Sequence, residues 1–307
     1  MERDRVSAAL FMKAHKKIQK MTWLVVVVTI TTLLPMSVKA QYVELGLSAG
    51  TMAYNGDLIH TYIRHNDYRP AYGGFIAVPL SNHFSLRASL MRGYISGADS
   101  LAARPSSRDR NLSFYTDITE GSLLVDFYLW QFHPNKFSRR ISPYVSAGLT
   151  VFHFNPKSMY NGVEYELQPL RTEGQGTSAF PDRQPYALTQ VAIPLEIGIK
   201  FHTSQRTTLA LAGGFRYTFT DYLDDASRTY VDADVIINEV GEVAYALSNR
   251  TWATNGGEPK ERGNNTMRAG ADSKDYYGWI GMNFSIYLSR EYRYVANRKS
   301  GISCPKF

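Results

Sequence analysis

The residues best suited to proton transfer or metal ligation are seven histidines: His15, His60, His65, His83, His133, His153 and His202. None of them stands in an HExxH or other metal-ligand spacing, and the chain has neither a GxSxG elbow nor a P-loop. His153, Ser158 and Glu164 could supply a Ser/His/acid set for a lipid-modifying enzyme at a membrane rim. A loop-rich chain of this size offers such sets by chance, so no catalytic residue and no cofactor is expected. Asp221, Asp224 and Asp225 could ligate Ca²⁺ through oxygen. The plainer expectation is a solvated loop start. Glu173-Gly174-Gln175-Gly176 is glycine-rich, but no helix pattern follows it, so it reads as a flexible turn and not as a phosphate cradle. The single cysteine, Cys304, excludes an internal disulfide and a cysteine-rich metal site.

Six further charges are informative through their setting. Glu44, Arg87, Asp126, Glu196, Lys200 and Arg216 all lie in segments that alternate with a period of two. In 190–202, Val191, Ile193, Leu195, Ile197, Ile199 and Phe201 face one way, and Glu196 and Lys200 the other. In 208–220, Leu209, Leu211, Phe215, Tyr217 and Phe219 oppose Arg216; in 276–288, Ile280, Met282, Phe284, Ile286 and Leu288 oppose Asn283 and Ser285. Weaker stripes occupy the start of the mature chain, 71–79, 84–96, 122–129 and 145–151. Two-faced strands produce such stripes and helices do not. The count is eight, the even number expected of a bacterial membrane barrel. The connections are sorted by length: 54–70, 97–113, 155–187 and 221–274 on one side, 80–83, 132–141 and 202–206 on the other. Long loops outside and short turns inside are the pattern of an outer-membrane barrel. The expected fold is therefore all-β, an eight-stranded antiparallel transmembrane β-barrel with short periplasmic turns and long extracellular loops. Its Leu/Val/Ile/Phe stripes face lipid. The six charges point into a lumen that eight strands leave only wide enough for side chains. Structural ion pairing is the first reading of them, a proton path the second. Pro194 removes a ladder donor in mid-strand and suggests a bulge.

The 307 residues carry a net charge of +7, but residues 1–40 hold seven Lys/Arg against two Asp/Glu. The rest of the chain is close to neutral, which removes the electrostatic case for nucleic acid. Lys13, Lys16, Lys17 and Lys20 precede an apolar run from Trp23 to Leu34, followed by Pro35 and Val38-Lys39-Ala40. This is the layout of a signal peptide at 1–40, cleaved between Ala40 and Gln41, with Met12 as a possible true start. An uncleaved anchor is the alternative, but the run is short of the ~20 residues that span a bilayer. Residues 41–289 form the barrel, and 290–307 a basic tail expected in the periplasm, where both mature termini would lie. The tail reads first as solvated and second as a docking segment. Residues 231–247 are apolar enough for a hairpin or short helix within the longest loop, and Tyr160, Tyr165 and Tyr230 would suit protein contacts if exposed.

Several short motifs add a family likeness. Gln41-Tyr42-Val43-Glu44-Leu45-Gly46 leads to Tyr54-Asn55-Gly56-Asp57-Leu58, then Arg69-Pro70-Ala71-Tyr72-Gly73-Gly74 and Leu86-Arg87-Ala88-Ser89-Leu90. Arg110-Asn111-Leu112-Ser113-Phe114, Ser142-Pro143-Tyr144-Val145, Phe152-His153-Phe154-Asn155-Pro156 and Tyr165-Glu166-Leu167-Gln168-Pro169-Leu170 follow. Thr172-Glu173-Gly174-Gln175-Gly176 and Tyr222-Leu223-Asp224-Asp225 complete the series. In this order they resemble the PorG-type outer-membrane barrels of the type IX secretion system, over about residues 41–290. The resemblance implies a non-enzymatic outer-membrane component in contact with a periplasmic ring of PorK-type and PorN-type proteins. It transfers no catalytic residue and gives the loop motifs no role.

Overall fold

A computed structural model describes residues 42–58, 68–102, 104–132, 140–264, 266–270 and 274–289. The expected cleavage site at Ala40 and Gln41 and the tail 290–307 lie outside them. The described residues form ten strands, β1 (Tyr42–Asn55), β2 (Arg69–Pro79), β3 (Phe84–Ala98), β4 (Ser113–Tyr128), β5 (Ile141–Phe154), β6 (Lys157–Tyr160), β7 (Val163–Glu166), β8 (Thr189–His202), β9 (Thr207–Thr218) and β10 (Tyr276–Ser289). Eight are long, and β6 and β7 form a small hairpin attached to β4 at Tyr115↔Lys157. The eight long strands run antiparallel in the cyclic order β1-β2-β3-β4-β5-β8-β9-β10, closed by β10 on β1. Among the described residues no helix is long and apolar enough to cross a membrane; strands remain able to do so.

Closure fixes the geometry. Cross-strand partners followed once around the ring from Glu44 pass through Ala77, Arg87, Leu124 and Gly148, cross to Pro194 by the register that Ala147↔Leu195 and Thr150↔Ala192 share, continue through Arg216 and Tyr277, and return to β1 at Tyr54, ten residues along. For eight strands that stagger corresponds to a tilt of about 40°. The expected bulge at Pro194 does not form. Ala147↔Leu195 and Thr150↔Ala192, on either side of it, share one register. The ring of Pro194 faces inward, and β8 passes it with its ladder to β9 intact at Pro194↔Arg216.

The alternation seen in the sequence is an inside–outside alternation. Leu47, Leu90, Leu149 and Ile197 are outward and 70%, 72%, 69% and 69% exposed, while their neighbours Ser48, Ser89, Thr150 and Glu196 are buried. On β8 the outward apolar series runs from Val191 to Phe201. At this tilt it makes a band of about 25 Å, the height of a bilayer's hydrocarbon. Phe84, Phe127 and Trp130 sit at its turn end, and Arg92, Asp117 and Thr189 mark its loop end. The turns at 80–83 and 203–206 close on serine hydroxyls. Ser81 Oγ accepts from the amides of His83 and Phe84, and Ser204 Oγ from those of Arg206 and Thr207.

The loop end is built, not irregular. Helix α1 (Pro105–Arg110) lies between β3 and β4, and α2 (Ala233–Glu239) and α3 (Glu242–Ser248) lie between β9 and β10. Residues 231–247 thus take the helical alternative. The apolar core continues from Ile95, Ile118 and Phe154 in the barrel to Leu223, Ala226 and Leu247 in the loops.

Candidate functional site

Two polar networks occupy the interior, one within the barrel and one over its mouth. In the barrel, period two turns Glu44, Arg87, Asp126, Glu196, Lys200 and Arg216 inward, all at or below 6% exposure. Arg87 donates to Asp126 at 3.0 Å and to Glu196 at 2.7 Å. Arg216 lies 3.0 Å from the other oxygen of Glu196 and 2.7 Å from Glu120. The chain Asp126–Arg87–Glu196–Arg216–Glu120 therefore crosses the lumen between β3, β4, β8 and β9. Lys200 and Glu44 form a separate pair at 2.6 Å. Hydroxyls complete the set: Ser146 donates to Asp126 and Tyr277 to Glu120, each at 2.6 Å. Glu120 was not singled out in the sequence. The cavity among Glu44, Arg87, Asp126 and Lys200 measures about 10 Å³, space for one water at most. Below it Phe132 stacks on His202 at 4.0 Å, next to Tyr128.

Over the mouth, residues far apart in sequence converge. α1 brings Arg110 to Asp99, with bonds of 2.7 and 2.8 Å, and Arg110 also donates to the carbonyls of Asp57 and Arg268. Glu173, fully buried, accepts from the amides of Ser227 and Arg228 at 2.8 and 2.9 Å and pairs with Arg268 at 3.3 Å. Gly174 turns the chain there at φ +68°, a conformation suited to glycine. Gln175 is also buried and Gly176 is exposed. The expected flexible turn is thus an anchored one. Asp225 accepts from the hydroxyls of Thr172 and Tyr186, and Tyr186 stacks on Tyr222 at 4.7 Å.

The motif Tyr54-Asn55-Gly56-Asp57 ends β1 within this cap. The Tyr54 hydroxyl lies 2.6 Å from Asp224 and 3.0 Å from Asp275. Asp57 accepts from the amide of Gly270, and Asn55 is the last rung opposite Tyr276. A Cβ on Gly56 would fall 1.9 Å from the Asp275 carboxylate and 2.0 Å from the Tyr54 oxygen, so only glycine admits this approach.

Asp221, Asp224 and Asp225 are buried, which corrects the expectation of a solvated loop start. A long loop that closes over a barrel mouth buries its own polar residues. The three carboxylates diverge, Asp221 to Ser227, Asp224 to Tyr54 and Asp225 to Tyr186 and Arg268. Among the described residues no three His, Cys, Asp or Glu groups are placed to hold a metal ion. Burial pushes Asp221 and Asp225 up to about 6, the latter despite the nearby Arg268 charge. Asp224 and Asp275 are driven well above the usual carboxylate range, again by burial first and by neighbouring carboxylates second.

Other expected groupings separate. His153 bonds Thr189, Ser158 bonds Ser113 and Arg250, and Glu164 bonds Lys157 and Tyr115. Tyr230 is buried at 1% exposure, whereas Tyr160 and Tyr165 are half-buried.

No curated relative matches the chain. Solved structures that resemble it include three outer-membrane barrels. The N-terminal β-barrel domain of Pseudomonas aeruginosa OprF is 11% identical, with 81% of this chain and 98% of that chain covered and a TM-score of 0.35. Yersinia pestis Ail, the attachment invasion locus protein, is 6% identical (80% and 98% covered, TM-score 0.38). Pseudomonas aeruginosa OprG is 8% identical (81% and 95% covered, TM-score 0.37). The closure of the barrel rests on its own cross-strand registers. One family profile matches residues 21–237, more than half of the sequence, and the chain belongs to that family, described as Domain of unknown function (DUF6089).

Proposed function

We propose that the protein is an integral outer-membrane barrel that works as a non-enzymatic anchor and contacts a periplasmic assembly. The observation that carries this reading is the pairing of an apolar outer band with a lumen filled by cross-barrel ion pairs. The band suits lipid, and the filled lumen suits support better than transport. In this orientation the short turns and the tail face the periplasm and the cap faces outward. The finer reading, a component of the type IX secretion machinery in contact with PorK-type and PorN-type ring proteins, rests on the motif series of the sequence.

In a clean deletion strain, cargo proteins of that system are expected to accumulate in the periplasm. Normal secretion would reduce the proposal to a general structural barrel. Crosslinking from 80–83, 203–206 and the tail is expected to capture ring proteins. A small-solute channel is the rival reading. Purified protein in planar bilayers is expected to give no stable conductance, and reproducible single-channel steps would favour the rival.

A further inference from the structure

The contact of Tyr54 with Asp224 and Asp275 has a proton count that can be read from geometry. A phenol carries one hydrogen, yet its oxygen is within hydrogen-bond distance of both carboxylates, at 2.6 and 3.0 Å. The remaining carboxylate oxygens are already acceptors: Asp224 Oδ1 takes the amide of Ala226 and Asp275 Oδ2 that of Leu223, both at 2.9 Å. If Tyr54 donates to Asp224, its contact with Asp275 is attractive only when Asp275 carries a proton and donates it to the phenol oxygen. Three groups on three separate segments, the end of β1, the loop after β9 and the approach to β10, are then joined through two protons.

Among the described residues no cation is bonded to either carboxylate to take the place of the second proton. Arg110, from α1, acts on Asp224 through its charge, and it is held by both oxygens of Asp99. Asp57 from the β1–β2 loop and Asp221 from the β9–β10 loop add negative charge. Lys274 acts on Asp221 but is itself exposed. From β4, Phe114 sets its edge against the Tyr54 ring at 4.9 Å and excludes water from that side.

We propose that Tyr54, Asp224 and Asp275 form a proton-shared latch that holds the loop cap shut over the barrel, and that loss of the shared proton releases the segment Tyr222–Ala226. Ionising both carboxylates leaves Tyr54 one hydrogen for two anions. Their repulsion then acts between the loop and the barrel rim, where the amide of Leu223 is the first to lose its acceptor, Asp275, and Ala226 follows as its turn on Asp224 is freed from the rim.

The test is amide hydrogen exchange on the full-length protein in micelles at pH 5 and pH 8, corrected for the intrinsic rate. Protection of Leu223 and Ala226 is expected to fall at least tenfold at pH 8 in the wild type. It is expected to persist at pH 8 in Asp275→Asn, whose amide can donate to Tyr54 and still accept from Leu223. Asp221→Asn should keep the wild-type pH dependence at Leu223, which separates the latch from its neighbour. Tyr54→Phe should be deprotected at pH 5 to the level the wild type reaches at pH 8. A wild type with equal protection at both pH values, or a fall that survives in both Asp275→Asn and Asp224→Asn, would overturn the proposal.

Discussion

Arg216 shows how much one side chain can hold in a barrel this narrow. It is 1% exposed and faces Glu120 and Glu196 together. Removing it leaves Glu120 with no cation, only the Tyr277 hydroxyl, and leaves Glu196 to Arg87 alone. Breaking a buried ion pair on one side costs about 3–5 kcal/mol, more than the net worth of the intact pair. Arg216→Met is therefore expected to lower barrel stability by about that much, read from the thermal or urea midpoint in micelles. Arg216→Met combined with Glu120→Gln should recover part of the loss. If the single variant unfolds at the wild-type midpoint, the ion-pair chain is not a stabilising element.

At the level of the strand, the outer face makes a separate claim. Ile197 is 69% exposed in the middle of the apolar series of β8. Ile197→Arg is expected to cost about 2–4 kcal/mol in a bilayer, while Thr189→Arg at the loop-end rim costs about 0–1 kcal/mol. Equal costs, measured by unfolding in lipid vesicles, would mean that the band does not meet hydrocarbon. This contrast between faces is also why the strands were legible in the sequence. Between Val191 and Phe201 every second residue is apolar, and the signal needs no tertiary knowledge. Glu120 was missed because it sits where β4 leaves the band. Thr119-Glu120-Gly121 offers no apolar contrast with which to assign a face. The cap was missed for a different reason. Tyr54 and Asp224 are 170 residues apart, and Arg110 and Arg268 are 158 apart. Charged loops that bury one another leave no periodic trace.

The cap and the barrel should respond differently to pH. Carboxylates whose values rise on folding favour the folded state most below their unfolded value, near ~3.9, and lose that contribution as pH climbs through the folded value. For Asp221 and Asp225 the folded value is about 6, and burial raises Asp224 and Asp275 in the same direction. Limited proteolysis of the segment 221–232 should therefore speed up from pH 5 to pH 8. A rate that falls over this interval would contradict the sign.

On the scale of the whole molecule, barrel and cap differ in how they are held. The eight long strands keep one register in every pairing, although β5 and β8 lack the two rungs beside Pro194, and the cap depends on individual side chains. Amides such as those of Leu195 and Ala212 are expected to stay protected at both pH values while the cap exchanges. Loss of protection in the strands under the same conditions would mean that the two parts unfold as one. The ten-residue stagger adds a mechanical consequence. Strand number and stagger together set the diameter of the cylinder, so it cannot widen without every rung slipping at once. A force applied at the turn end would reach the far rim as a rigid-body tilt or displacement. The molecule transmits load as a rivet does, and any message it carries across the bilayer travels as motion of the shaft.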